Sequence, residues 1–303
     1  MRMSNSRSVV KFGLVMKVMA AIHSLLIKNQ YCTKRDLYYQ EPEEYGNQRY
    51  LDQLIDTISS MLAVPRWQLH VVATSKGVIS GDLTFLDADN KLVDCSNTTN
   101  GVLLPSLIHK IQLVRSDARF VLIVEKDATF QHLLEEKVFN ELGPCIIITA
   151  KGYPDLITRQ LLRMLKDKYA HLPFFALVDA DPHGASIYLT YKFGSLTHAH
   201  DVQNLALPSL MWLGVLPSDV NELLLPDGVA LKLSSSDRAQ VQDIMNREYM
   251  AGLSSELKEL QAMLETGKKI EIQCLDVFGR SYLTQVYLPR RLRKLGYLVQ
   301  SNW

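Results

Sequence analysis

Three acids and a pair of tyrosines are the residues of this 303-residue chain whose types and spacing suit metal-assisted attack by an oxygen nucleophile. Two acidic runs each follow an apolar stretch: Val124-Glu125-Lys126-Asp127 and Val178-Asp179-Ala180-Asp181-Pro182-His183-Gly184. Ligands of open parallel sheets bind beyond the carboxyl ends of the strands, so Glu125, Asp179 and Asp181 are expected at one edge. Asp179 and Asp181, two residues apart on extended backbone, are expected to point the same way. Carboxylates gathered in this way repel one another unless something positive sits between them. A hard divalent cation is the natural occupant, and Mg²⁺ suits best, because it binds through a few carboxylates and keeps positions open for other oxygens. Asp127 suits a cap on the following helix better than a metal ligand.

The candidate nucleophile lies in Thr33-Lys34-Arg35-Asp36-Leu37-Tyr38-Tyr39. A phenol, with a pKa of about 10, attacks poorly unless a cation or base favours phenolate. Arg35 stands four residues before Tyr39, one helical turn, where a guanidinium can favour phenolate or grip a phosphate. A Tyr-Tyr pair also serves simply as packing.

These residues need elements to hold them. Helices are expected from about Ser8 to Asn29, after a cap at Thr33, and from about Tyr45 to Leu62. On the first, Phe12, Val15, Met19, Ile22 and Leu26 fall on one face, as in a docked amphipathic helix. The apolar run Val18 to Ile27 is broken by His23 and Ser24, which argues against a signal segment, and by itself it is too short to span a bilayer. Alternating segments Gln68 to Ala73 and Val78 to Phe85 suggest a small hairpin, so residues 1–88 read as a winged helix whose Ser75-Lys76-Gly77 turn meets phosphates. Residues 89–118 read as a polar linker. From 119 to 303, buried strands at 120–124, 145–149 and 173–178 alternate with helices at about 129–140 and 154–170, the pattern of a parallel sheet with crossover helices. Pattern places a helical stretch at 235–266 and no chemistry beyond 202.

The formal net charge is only +1, so nucleic-acid contact must come from local patches. Residues 1–35 hold seven bases and no acid, among them Lys11, Lys17, Lys28, Lys34 and Arg35, and a second cluster is Arg290, Arg291, Arg293 and Lys294. The four cysteines lack zinc-type spacing, and no GxxxxGK[ST] phosphate loop is present.

Taken in order, TKRDLYYQEPEEYGNQRYLDQLIDTISSML, TSKGVISGDL, VEKDATFQHLL, KGYPDLITRQLL and LVDADPHG resemble the A chain of type VI (type IIB) DNA topoisomerase and its homologue, the meiotic recombination initiator. The likeness runs from about Lys11 to Gly194 and weakens beyond. It implies a mixed α/β chain, with an N-terminal winged-helix domain of the catabolite activator protein kind and then a Toprim domain with a parallel sheet, flanking helices and a C-terminal extension. It also implies that Tyr39 is the nucleophile with Arg35 its helper, Tyr38 being packing, and that Glu125, Asp179 and Asp181 bind Mg²⁺, with Mn²⁺ as substitute. Lys151 and Asp155 stand in the KGxPD segment, and Lys34, Lys76 and Lys151 are candidate DNA contacts. The implied activity is cleavage of both strands of duplex DNA through a 5′-phosphotyrosyl link, by a nuclear homodimer in which each tyrosine meets its partner's Toprim site. Meiotic accessory proteins and a B-type ATPase-fold protein are the implied partners, and relatives usually carry more chain ahead of the first helix, where that B-type protein is expected to contact. Two other readings are a hydrolytic Toprim nuclease and a silent DNA-binding scaffold, which covalent capture separates.

Overall fold

The computed structural model describes residues 6–96, 98–194, 205–226 and 228–298. The N-terminal unit is built from α1 (Ser6–Ile27), α2 (Lys34–Gln40), α3 (Pro42–Tyr45) and α4 (Gln48–Leu62). Thr33 starts α2 through a capping box: its hydroxyl accepts the Asp36 N–H at 3.0 Å, and the Asp36 carboxylate accepts the Thr33 N–H at 3.2 Å. Asn47 starts α4 by accepting the Tyr50 N–H. Leu51, Leu54, Ile55 and Ile58, at helical spacing, close on Leu37 of α2 and on Val15, Val18 and Ile22 of α1. Each such side chain contributes about 1.5–3 kcal/mol on burial. The buried stripe of α1 is narrower than expected: Phe12 and Leu26 are exposed. Ser8–Ile27 is, by length and composition, long and apolar enough to cross a membrane, but it docks here through that stripe.

The expected hairpin is absent. β2 (Val71–Val72) pairs instead, in parallel, with β1 (Cys32–Thr33). The next strand, β3 (Val78–Gly81), leaves the helical unit and runs antiparallel to β9 (Ile146–Thr149) in the main sheet. All four β3 residues are buried, and only the wide sheet buries both faces of a strand. Nor is 89–118 a bare linker. It holds β5 (Leu92–Asp94), β6 (Val102–Leu103) and β7 (Gln112–Arg115); β5 and β7 flank β4 (Thr84–Leu86) in a three-stranded antiparallel sheet, and β6 pairs with β3.

The main sheet has the order β11-β10-β8-β9-β3-β6, with β8 (Val121–Val124), β9, β10 (Phe174–Leu177) and β11 (Met211–Gly214) all parallel. Its central strands are continuous apolar runs because helices cover both faces. Between β8 and β9 the expected single helix is two, α5 (Asp127–Glu135) and α6 (Val138–Leu142), broken where Lys137 turns left-handed. α7 (Leu156–Lys168) and α8 (Pro182–Phe193) follow β9 and β10. Further helices span Ser235–Met245 and Ser254–Thr266, and β12 (Leu231–Lys232) pairs with β13 (Lys268–Lys269). The two units meet at His109, on which Trp67 stacks at 4.7 Å and whose Nε2 lies 3.3 Å from the hydroxyl of Tyr31, a ring itself stacked on His70 at 4.0 Å.

Candidate active site

One half of the site is on α2. With the helix started at Thr33 and anchored by buried Leu37, Arg35 and Tyr39 project from the outer face one turn apart. The Arg35 guanidinium donates to the Tyr39 hydroxyl at 3.4 Å, at the long end of such a bond, and lies 5.6 Å from its ring centroid. That bond to Tyr39 raises the pKa of Arg35 above its ordinary value. Tyr39 is 59% exposed, whereas Tyr38 packs against the helical core and reaches the Gly46 carbonyl at 3.5 Å. Lys34 is half-buried and pairs with Asp52 at 2.5 Å. Lys76 is exposed.

The other half lies at the carboxyl ends of β8 and β10. Glu125 and Asp179, both buried, are adjacent: the Asp179 N–H donates to Glu125 Oε2 at 2.9 Å. Burial, and next the neighbouring Asp179, push the Glu125 carboxyl up to about 7; burial also raises Asp179. The two oxygens of Asp179 are both engaged, Oδ1 by the Ile272 N–H at 2.8 Å and Oδ2 by the Lys126 ammonium at 2.7 Å. Asp181 is tied by one oxygen to the helix that follows. It ends the extended segment and caps α8, its Oδ1 accepting the Gly184 N–H at 2.7 Å, although it lies near enough to add to the upward push on Glu125. Asp127 pairs with Lys151 at 3.0 Å, and Asp155 caps α7 by accepting the Thr158 N–H at 2.8 Å. Three residues that pattern did not mark as site residues complete the edge. Lys126 follows Glu125 in the chain and reaches Asp179, and Glu271 and Gln273 meet its ammonium at 2.8 Å and 3.1 Å. Among the described residues, no hydrogen bond or ion pair joins Tyr39 or Arg35 to these carboxylates, and no three His, Cys, Asp or Glu side chains form a ready metal cage.

Residues 120–292 match the family model for the Toprim domain of Spo11 and the topoisomerase 6 A chain, and residues 10–71 match that described as Type IIB DNA topoisomerase. The chain belongs to the topoisomerase VI A/Spo11 family. It is 42% identical to the Meiotic recombination protein SPO11 of Mus musculus, across 98% of this chain and 75% of the relative, and 42% identical to that of Homo sapiens, across 96% and 74%. The A3 form of the DNA topoisomerase 6 A chain from Oryza sativa subsp. indica is 39% identical, across 97% of this chain and 66% of the relative. This topoisomerase VI A/Spo11 chain is thus of the type IIB topoisomerase class, and its Toprim domain is of a kind that binds divalent metal. Its residues fit such an ion. Glu125 and Asp179 put two buried carboxylates side by side, and a cation, the Lys126 ammonium, already sits on one of them. Two carboxylates completed by water are the usual protein share of a Mg²⁺ site.

Proposed function

We propose that the chain makes double-strand breaks in DNA by tyrosine transesterification, initiating meiotic recombination. The observation that carries this is the Arg35–Tyr39 pair: an exposed phenol with a guanidinium on its oxygen, in a chain of this family. The Tyr39 oxygen forms a bond to a backbone phosphorus, and the bond from phosphorus to the 3′ oxygen breaks. The phenol gives up its proton, the 3′ oxygen takes one up, and the 5′ end stays on the protein. One phosphodiester replaces another, so cleavage needs no ATP. Arg35 favours phenolate and steadies the phosphate under attack. Glu125 and Asp179, with Asp181 beside them, are the residues that would hold Mg²⁺. Bound there, the ion supplies positive charge to phosphate oxygens as negative charge builds at phosphorus.

The working unit in this reading is a homodimer. Among the described residues, the hydrogen bond and ring contact of Tyr39 go to its neighbours Arg35 and Tyr38, which supports a site completed by a second copy's carboxylates. The helical unit acts as the winged-helix-type DNA-binding domain within 1–88, with Lys34, Lys76 and Lys151 as phosphate contacts. Residues 119–303 act as the Toprim domain with its extension, and 89–118, which join it to the helical unit, also add β6 to the edge of its sheet. The exposed apolar row Val9, Phe12 and Met16 on α1 supports docking of a B-type ATPase-fold protein. Meiotic accessory proteins complete the assembly, and the nucleus is its place of action.

Denaturing recovery of protein-linked DNA tests the reading, with Mg²⁺ or Mn²⁺ and a B-type partner supplied. A 5′-linked adduct is expected from the natural chain and from neither Tyr39→Phe nor Asp179→Ala. Cleavage that survives Tyr39→Phe without an adduct would replace this reading with a hydrolytic one.

A further inference from the structure

Lys126 is the unexpected member of the carboxylate edge. Its ammonium lies 2.7 Å from Asp179 Oδ2, 2.8 Å from Glu271 Oε2 and 3.1 Å from Gln273 Oε1. The last two acceptors come from a segment nearly 150 residues later, pinned beside β10 by the paired backbone bonds of Ala180 and Ile270 (2.9 and 3.2 Å) and by the Ile272 N–H on Asp179. Asp179 is almost wholly enclosed, its side chain 4% exposed, while the Glu271 side chain is half-exposed. A divalent ion approaching Asp179 therefore meets an oxygen already occupied by a cation, and that cation has a second carboxylate waiting beside it.

We propose that Lys126 is a built-in competitor for the divalent ion: it neutralises Asp179 in the metal-free protein and withdraws onto Glu271 and Gln273 when the ion binds. Displacement then costs the ammonium one contact of three, because two acceptors remain within reach. The competition sets how much free metal the site requires, and Glu271 with Gln273 serves as the resting place rather than as ligands. This rests on the reading that Glu125 and Asp179 take the ion.

The test is Mn²⁺ binding to the full chain without DNA, by titration calorimetry and by the electron paramagnetic resonance of free Mn²⁺. Lys126→Met should bind about tenfold more tightly, the scale of a partly buried ion pair and its local charge. Lys126→Gln, which keeps a donor for Asp179, is a second variant should the first fold poorly, and it should tighten binding in the same direction. Glu271→Gln should weaken binding several-fold in the natural background and leave it unchanged in the Lys126→Met background. Unchanged or weaker binding in both Lys126 variants, whatever happens to their melting temperatures, overturns the competition. A Glu271→Gln loss that persists without Lys126 makes Glu271 a ligand and overturns the resting place. If neither natural chain nor Lys126→Met binds Mn²⁺, or if Asp179→Asn leaves binding intact, the metal reading itself falls and this inference with it.

Discussion

Replacing Gly184 by alanine should unseat the carboxylate edge without touching a charged group. Gly184 is the third residue of α8, and a Cβ built on it would lie 2.1 Å from the Asp179 carbonyl oxygen and 3.0 Å from that residue's carbon and nitrogen. All three are backbone atoms, so no side-chain rotation relieves the clash. The strand side cannot easily yield, because Val178 exchanges backbone bonds with Gly214 and Val215 at 2.7 Å and Ala180 is bridged to Ile270. The helix side is held by the Asp181 cap and by buried Ala185, Tyr188 and Tyr191. Ordinary contact begins at 3.4 Å, well beyond the 2.1 Å this geometry gives. Overpacking of this kind costs about 1–3 kcal/mol and a weakened cap about 0.5–2 kcal/mol, against a helix-propensity gain of about 1 kcal/mol for Gly to Ala. A net loss of about 2 kcal/mol, within a range of about 0.5–4 kcal/mol, is expected in urea denaturation, accompanied by weaker Mn²⁺ binding as Asp179 and Asp181 part. Gly13→Ala is the control: its Cβ would meet nothing within 4 Å in the middle of α1, so it should stabilise by up to about 1 kcal/mol. A Gly184→Ala protein within about 0.5 kcal/mol of its parent would refute the steric argument.

Other outcomes follow from single contacts. Tyr39→Phe, on an exposed position, should change denaturant stability by less than about 0.5 kcal/mol while abolishing the DNA adduct; a large loss of stability would show that the hydroxyl is structural. Tyr188→Phe should cost about 1–3 kcal/mol, because the buried hydroxyl donates to Glu256 at 2.7 Å and accepts from Lys192 at 2.9 Å; equilibrium unfolding indistinguishable from the parent would mean that the pair closes up without it. Asp237, held by the Lys269 ammonium and by Ser234, has its carboxyl lowered to about 2. A depressed folded-state pKa contributes stability that is present above the ordinary carboxylate range and lost as pH falls. The gap between natural chain and Asp237→Asn should thus be full above about pH 4 and close toward pH 2, and a gap independent of pH would contradict it.

What could be read in the residues was whatever local chemistry decides. Thr33 writes its helix start as a short-range hydrogen bond, and α2 begins where that cap places it, whereas α4 begins at Gln48 after an Asn47 cap, not at Tyr45, which closes the short α3. The runs at 120–124, 145–149 and 173–178 can only be strands buried on both faces, and they form β8, β9 and β10. Val78–Gly81 was misplaced for a physical reason: its alternation with the preceding segment suits a hairpin, while its true partner, β9, lies about 65 residues on, and a local pattern carries no record of distant pairing. The polar stretch 89–118 misled in the same way, since β5 and β7 are short and half-exposed and draw their order from β4 rather than from apolar periodicity.

The site divides along the same line. Tyr39 and Arg35 are one helical turn apart, so their meeting was legible; Glu125 and Asp179 sit at the ends of readable strands, so their adjacency was legible as well. Asp181 carries a second task that alternation does not show: Pro182 opens a helix immediately after it, and Asp181 caps that helix while lying beside Glu125 and Asp179. Glu271 and Gln273 were invisible, since neither stands in a motif and their place depends on a two-bond bridge between Ala180 and Ile270. That bridge makes the C-terminal extension part of the carboxylate edge. Residues 270–273 occupy one oxygen of Asp179 directly, through the Ile272 N–H, and help hold the ammonium that occupies the other. A chain ending before this segment would keep every sequence-marked acid and still lose the contacts that neutralise and orient Asp179.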